Sequence, residues 1–134
     1  GMQLLLLDGP TDHEMVQRFL VHLGRHPILV GGLSIRLLAG VLSQLDFFLG
    51  HDSGVTHLAA LLGTPTVALF GPTEPARWAP RGRAVMVIRE KPYRCASWDG
   101  VRNCIEKPCL ELSPAAILAA CRTIHTLGVN PRIS

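Results

Sequence analysis

Long hydrophobic runs are missing from the start of this 134-residue chain: Leu4–Leu7 is four residues long, far short of the roughly 18 that cross a bilayer. No basic segment precedes it, so neither an anchor nor a signal peptide is expected, and a cytoplasmic location is the expectation. Charge is sparse as well. Charged residues make up 17% of the chain and the formal net charge is +3. The arginines do not gather into a stripe interleaved with aromatics, which removes the electrostatic footprint of a nucleic-acid binder and leaves an anionic small molecule as a suitable ligand. The four cysteines, Cys95, Cys104, Cys109 and Cys121, contain no C-x2-C pair. They are expected to be ordinary thiols, with a metal held by Cys95, Cys104 and Cys109 as the alternative. The six histidines include no H-E-x-x-H, so no catalytic metal is expected. G-x-G-x-x-G and G-x-x-x-x-G-K-[ST] are absent too. "GHDSG" at 50–54 is no nucleophile elbow, because its serine stands fourth and not third.

What is present is a 48% hydrophobic chain of a length suited to one globular domain. Short apolar runs alternate with stretches of helical period, which predicts an α/β fold: a Rossmann-like parallel sheet with helices on both faces. Strands are expected at 4–7, 27–30, 46–50, 66–70 and 84–89. A helix follows the first, with Val16, Phe19, Leu20 and Leu23 on one stripe and a Thr11/Glu14 capping box at its start. Ser34 should cap a second helix carrying Ile35, Leu38, Leu42 and Leu45. A third carries Val55, Leu58, Ala59 and Leu62, and Gly63 and Pro65 end it. Residues 91–111 have no period and are expected to form a long surface loop. Ser113 and Pro114 open a closing helix that runs through Ala116, Ile117, Ala120 and Ile124 to Gly128. Gly1-Met2 resembles a cleavage scar ahead of an initiator methionine.

The chemistry gathers in "GHDSGVTHLAALLGTPTVALFGPTEP", residues 50–75. A strand ends at His51-Asp52 and a helix begins at once, which puts a helix N-terminus at the carboxyl edge of a parallel sheet, where open α/β sheets bind ligands. Unpaired N–H groups and the helix dipole suit a phosphate there, and Gly54 lets it approach the backbone. The third helix is apolar nearly all round except for Thr56 and His57 in its first turn, so it should be buried and those two placed for recognition. Simpler uses exist for the same residues. Asp52 or Ser53 suffices as an N-cap; His57 can bond a nearby carbonyl; the capping box accounts for Glu14; and Thr73-Glu74-Pro75 can open a short helical turn.

The run D-S-G-x-x-H-L-A-A-L-L-G-T-P-T-V-A-L-F-G-P-T-x-P resembles glycosyltransferase family nine, the ADP-heptose:lipopolysaccharide heptosyltransferases. "LLLLDGPTDHE" and "CLELSPAAILAA" extend the likeness loosely over most of the chain. The resemblance implies two Rossmann-like domains in the GT-B arrangement, with residues 3–134 as the C-terminal, nucleotide-sugar-binding one. It places Asp52 on the donor sugar near the diphosphate, the backbone of Ser53, Gly54 and Val55 on the phosphates, and His57 beside the sugar-diphosphate. Glu14 falls near the ribose, Leu33 at the adenine edge, and Gly71, Pro72 and Thr73 in the turn that closes the crevice.

Two parts of the family pattern are not found: the acceptor domain with its general-base aspartate, and the first strand of the C-terminal domain with a phosphate-contacting lysine behind it. No catalytic residue is therefore assigned in this chain, which alone is expected to be inactive. The implied function is donor binding, without cofactor, in an inverting, metal-independent transferase of lipopolysaccharide core assembly. Its acceptor is lipid-linked, which brings the protein to the inner face of the cytoplasmic membrane. A missing edge strand would open the sheet to a second copy and so to a dimer. The rival readings are another GT-B enzyme, such as a nucleotide-sugar epimerase, and a non-catalytic nucleotide-binding module.

Overall fold

The computed structural model describes residues 2–91 and 97–128, which fall into two compact units, Gly1–Leu38 and Ala39–Ser134. In the first unit, β1 (Leu5–Asp8) leads through α1 (His13–Leu23) to β2 (Ile28–Gly31). The strands pair in parallel, Leu5 opposite Ile28 and Asp8 opposite Gly31. Each begins one residue later than the apolar runs suggest, because the ladder continues into the first polar or glycine residue.

The capping box does not form. α1 starts from Asp12, whose side chain caps nothing, while the Thr11 hydroxyl bonds the neighbouring Asp12 carboxylate at 3.3 Å. Thr11 is therefore one residue outside the N-cap position, where its oxygen would have to accept from the helix for the box to close. The Ser34 cap does form, its Oγ accepting from Leu37 N at 3.4 Å, and α2 (Ile35–Leu42) follows. Of the expected α2 stripe, Leu42 is fully buried and Ile35 is exposed.

The second unit is built on β3 (Phe48–His51), β4 (Thr66–Leu69) and β5 (Val85–Ile88), parallel in the order β3-β4-β5. The described hydrogen bonds thus join the five predicted strands as a pair and a triplet. β4 is the central strand of the triplet, and all four of its residues are buried, as a parallel strand covered on both faces requires. Its side chains alternate between those faces. Val67 and Leu69 pack with Ala120 and Ile124 of α6 (Pro114–Gly128), bordered by Phe47, Met86, Ile88 and Ile117. α3 (Gly54–Leu61) packs on β3 and β4 and buries Thr56, Ala59 and Ala60. Gly63, at φ 83°, lies in the left-handed region just past α3, where glycine carries no Cβ penalty.

Ser113 Oγ accepts from Ala116 N at 3.3 Å, so the predicted cap of α6 is in place. The loop expected at 91–111 is partly helical instead. Ser97 caps α5 (Trp98–Asn103) by accepting from Gly100 N at 3.1 Å, and a 3-10 turn follows at Pro108–Leu110 that buries Cys109. A six-residue helix is shorter than two turns and leaves no period to detect. Cys95 lies outside the described residues.

The Thr64 hydroxyl, buried between α3 and β4, donates to Leu42 O at 2.8 Å, and that carbonyl also accepts from Leu45 N at 3.2 Å. Thr64→Val is expected to cost about 1 kcal/mol, because one buried bond is lost while the carbonyl keeps another partner. Urea unfolding followed by circular dichroism measures this.

Candidate functional site

The three parallel strands of the second unit end side by side, with His51 opposite Leu69 and Leu69 opposite Ile88. The pairing carries one step further: Asp52 N donates to Leu69 O at 3.1 Å, and Phe70 N to Ile88 O at 2.9 Å. Asp52 is thus held by its backbone at the carboxyl edge of the sheet. Its side chain is no N-cap. Asp52 Oδ2 accepts from the Thr73 hydroxyl at 2.7 Å, and Oδ1 lies 3.7 Å from His57 Nε2. A carboxylate, a hydroxyl and an imidazole from three separate segments therefore meet, each partly exposed.

Ser53 has the simpler use. It is the N-cap of α3, with Oγ accepting from Thr56 N at 3.4 Å and sharing a bond with Thr56 Oγ1 at 3.1 Å. His57 N takes the first intrahelical bond, to Ser53 O at 3.2 Å. This leaves the N–H groups of Gly54 and Val55 without a protein acceptor among the described residues, and they carry the positive end of the helix dipole. Gly54 is exposed and Val55 half-buried.

Thr56 departs from expectation. It is fully buried, and its hydroxyl donates to the carbonyl of His51. A side chain in this position ties the helix start to the strand end and is not available to a ligand. Helix α3 is likewise not buried all round, since Leu61 is 73% exposed.

Gly50 is a requirement that the motif contained without revealing its reason. A Cβ there would come within 2.6 Å of the Phe48 ring and 2.7 Å of Thr56 Oγ1, so only glycine lets β3 and α3 approach this closely. Gly71 is buried against the 3-10 turn, where a Cβ would lie 2.6 Å from Leu110 Cδ2. Pro72 and Thr73 follow half-buried, and Thr73-Glu74-Pro75 does open a short helix, α4 (Pro75–Trp78), with Glu74 as its N-cap residue.

Two further residues border the site. Arg89, directly after β5, places Nη1 3.2 Å from Glu74 Oε1 and 3.1 Å from Oε2. The Arg89 side chain is only 15% exposed against 56% for Glu74. Nothing local in the sequence links positions 74 and 89; only parallel pairing of β4 with β5 brings them together.

Glu14 and Leu33 belong to the first unit. Glu14 is exposed in the first turn of α1, and Leu33 is exposed in the turn after β2. Among the described residues no group of three His, Cys, Asp or Glu side chains could hold a metal. Cys104, Cys109 and Cys121 are free thiols, and burial raises the pKa of Cys121. No described helix is long and apolar enough to cross a membrane.

An acid held at the carboxyl ends of parallel strands, in front of a helix whose first N–H groups are unspent, is the layout of nucleotide- and phosphate-handling α/β proteins. The sequence profile of glycosyltransferase family 9 (heptosyltransferase) matches residues 1–109, and the chain belongs to that family. It is 29% identical over 98 residues to lipopolysaccharide heptosyltransferase 3 of Escherichia coli, covering 70% of this chain and 29% of the relative. To lipopolysaccharide heptosyltransferase 2 of Salmonella typhimurium it is 30% identical over 94 residues, covering 66% and 27%. Its fold superposes on a family 9 glycosyltransferase from Veillonella parvula with a TM-score of 0.81 at 25% identity, covering 95% of this chain and 37% of that one. The chain therefore spans less than a third of the length of these curated relatives.

Proposed function

We propose that this chain is the donor-binding part of an inverting transferase that moves a heptose-like sugar from an ADP-linked donor to a lipopolysaccharide-core acceptor. The carrying observation is the Asp52 carboxylate, fastened to Thr73 at 2.7 Å and facing His57, immediately before the free start of α3. In this reading the N–H groups of Gly54 and Val55 meet the diphosphate. As the sugar leaves, negative charge grows on the phosphate oxygens, and preorganised dipoles stabilise that growth without moving. Asp52 and His57 orient the sugar beside the diphosphate, and the Gly71–Thr73 turn borders the crevice. Glu14 at the ribose and Leu33 at the adenine edge follow from the family pattern.

Deprotonation of the acceptor hydroxyl requires a base positioned on the acceptor, which this reading assigns to a second, acceptor-binding domain. Residues 3–134 are then the C-terminal domain of the GT-B arrangement, working in the cytoplasm and meeting the membrane through a lipid-linked acceptor. A dimer through a free sheet edge belongs to the same reading, and light scattering at high concentration tests it.

Calorimetric titration of the full-length protein with ADP, UDP and GDP tests the donor assignment. Binding of ADP in preference to the other two is expected, with weakened binding in Ser53→Pro, which disturbs the helix start. If none of the three binds, the assignment is wrong.

A further inference from the structure

We propose that Arg89 is a positioning residue for Asp52, acting through Glu74 and Thr73; this rests on the donor-site reading above. Arg89 emerges directly from β5, and the adjoining backbone is fixed by the bond from Phe70 N to Ile88 O at 2.9 Å. Its guanidinium, always charged, is mostly buried, and one nitrogen bridges both oxygens of Glu74 at 3.1 and 3.2 Å. Glu74 is the residue after Thr73 and the N-cap position of α4. Four residues earlier the same segment leaves β4, and Gly71 is wedged against Leu110 and Cys109.

Thr73 therefore lies between two fixed points, and its hydroxyl is the group that holds Asp52 Oδ2. A carboxylate with one oxygen fixed can present the other in one direction only, here toward His57 at 3.7 Å. Without the Arg89–Glu74 contact the segment at 72–75 keeps its Gly71 anchor and the backbone bonds from Arg77 N and Trp78 N to Glu74 O, but loses its side-chain tie to the end of β5, so the threonine hydroxyl and the aspartate rotamer are set less closely. A half-buried ion pair suits this use. It contributes little net stability in a partly solvated setting, yet it fixes direction through a charge-assisted, two-oxygen contact.

The test uses Arg89→Met, which keeps the apolar stem that packs in the fold, and Glu74→Gln as an independent cut at the other end. The first readout is the 13C carboxyl resonance of Asp52 in protein with labelled aspartate; the second is the Kd for ADP. Both variants are expected to move the Asp52 resonance in the direction seen for Thr73→Val, and to raise the ADP Kd about tenfold. On a Thr73→Val background, Arg89→Met should have no further effect on the resonance, because the link it acts through is already cut. An Asp52 signal unmoved in both variants, or an equal extra shift on the Thr73→Val background, overturns the proposal. Failure of the parent protein to bind ADP overturns the donor-site reading instead, and the resonance still decides the role of Arg89.

Discussion

Asp52→Asn is expected to lower kcat/KM of the full-length protein for the proposed nucleotide-sugar donor about 100-fold, with a thermal midpoint within about 2 °C of the parent. The substitution keeps the size of the side chain and one oxygen able to accept from Thr73, so the fold around it has little reason to change. What it removes is the charge and the second acceptor oxygen, the one facing His57 at 3.7 Å. The asparagine amide can also turn its NH2 toward the Thr73 hydroxyl, which undoes the single orientation set by the 2.7 Å bond. Steady-state kinetics with the donor as varied substrate measure the effect. Turnover within threefold of the parent would remove Asp52 from the site.

The second large effect is on stability. Phe70→Ala is expected to lower the unfolding free energy by about 4 kcal/mol, in the range for deleting a buried aromatic ring. Among the described residues Phe70 is the bulkiest of the fully buried side chains, one residue past β4 and directly before Gly71. Its loss opens a void in the interior next in sequence to the Gly71–Thr73 turn, so in the donor-site reading donor binding should weaken together with stability. Leu61→Ala is the control. That leucine is 73% exposed on α3, and its truncation should change stability by less than about 0.5 kcal/mol. Urea unfolding of both variants gives the comparison, and equal costs would show that the buried Phe70 ring contributes no more to stability than an exposed leucine.

How much of this could be read beforehand depended on the range of the interaction. All five strands and the helices α1, α2, α3 and α6 were legible, because alternation and helical period are local and long enough to count. The serine caps at Ser34 and Ser113 were legible for the same reason, since each spans three residues, whereas the cap of α3 was left between Asp52 and Ser53 and falls to Ser53. The Thr11/Glu14 box does not form because the helix starts one residue later, with Asp12 at the N-cap position, a shift that the spacing of Thr11 and Glu14 does not reveal. Thr56 was misread on finer grounds. A hydroxyl in a first helical turn suits either a ligand or a backbone carbonyl, and only the close packing allowed by Gly50 decides for the His51 carbonyl. The α5 helix escaped notice because it is too short to have a period. Asp52 was picked out, but its tie to Thr73, 21 residues away, depends on strand pairing that no local pattern encodes. Arg89 was overlooked for the same reason.

The hydroxyl of Ser53 is committed to closing the first turn of α3, so what this helix start offers an incoming anion is bare main chain. Main-chain N–H groups recognise negative charge and little else; they do not distinguish adenosine from uridine, or one sugar from another. In the donor-site reading proposed above, retention and discrimination are thereby separated: the diphosphate would be held by a feature that any nucleotide satisfies, and choice among nucleotides would fall to side chains that touch the base and the sugar. A change of donor preference can then arise at those side chains alone, with the anion-holding turn and the sheet beneath it left as they are.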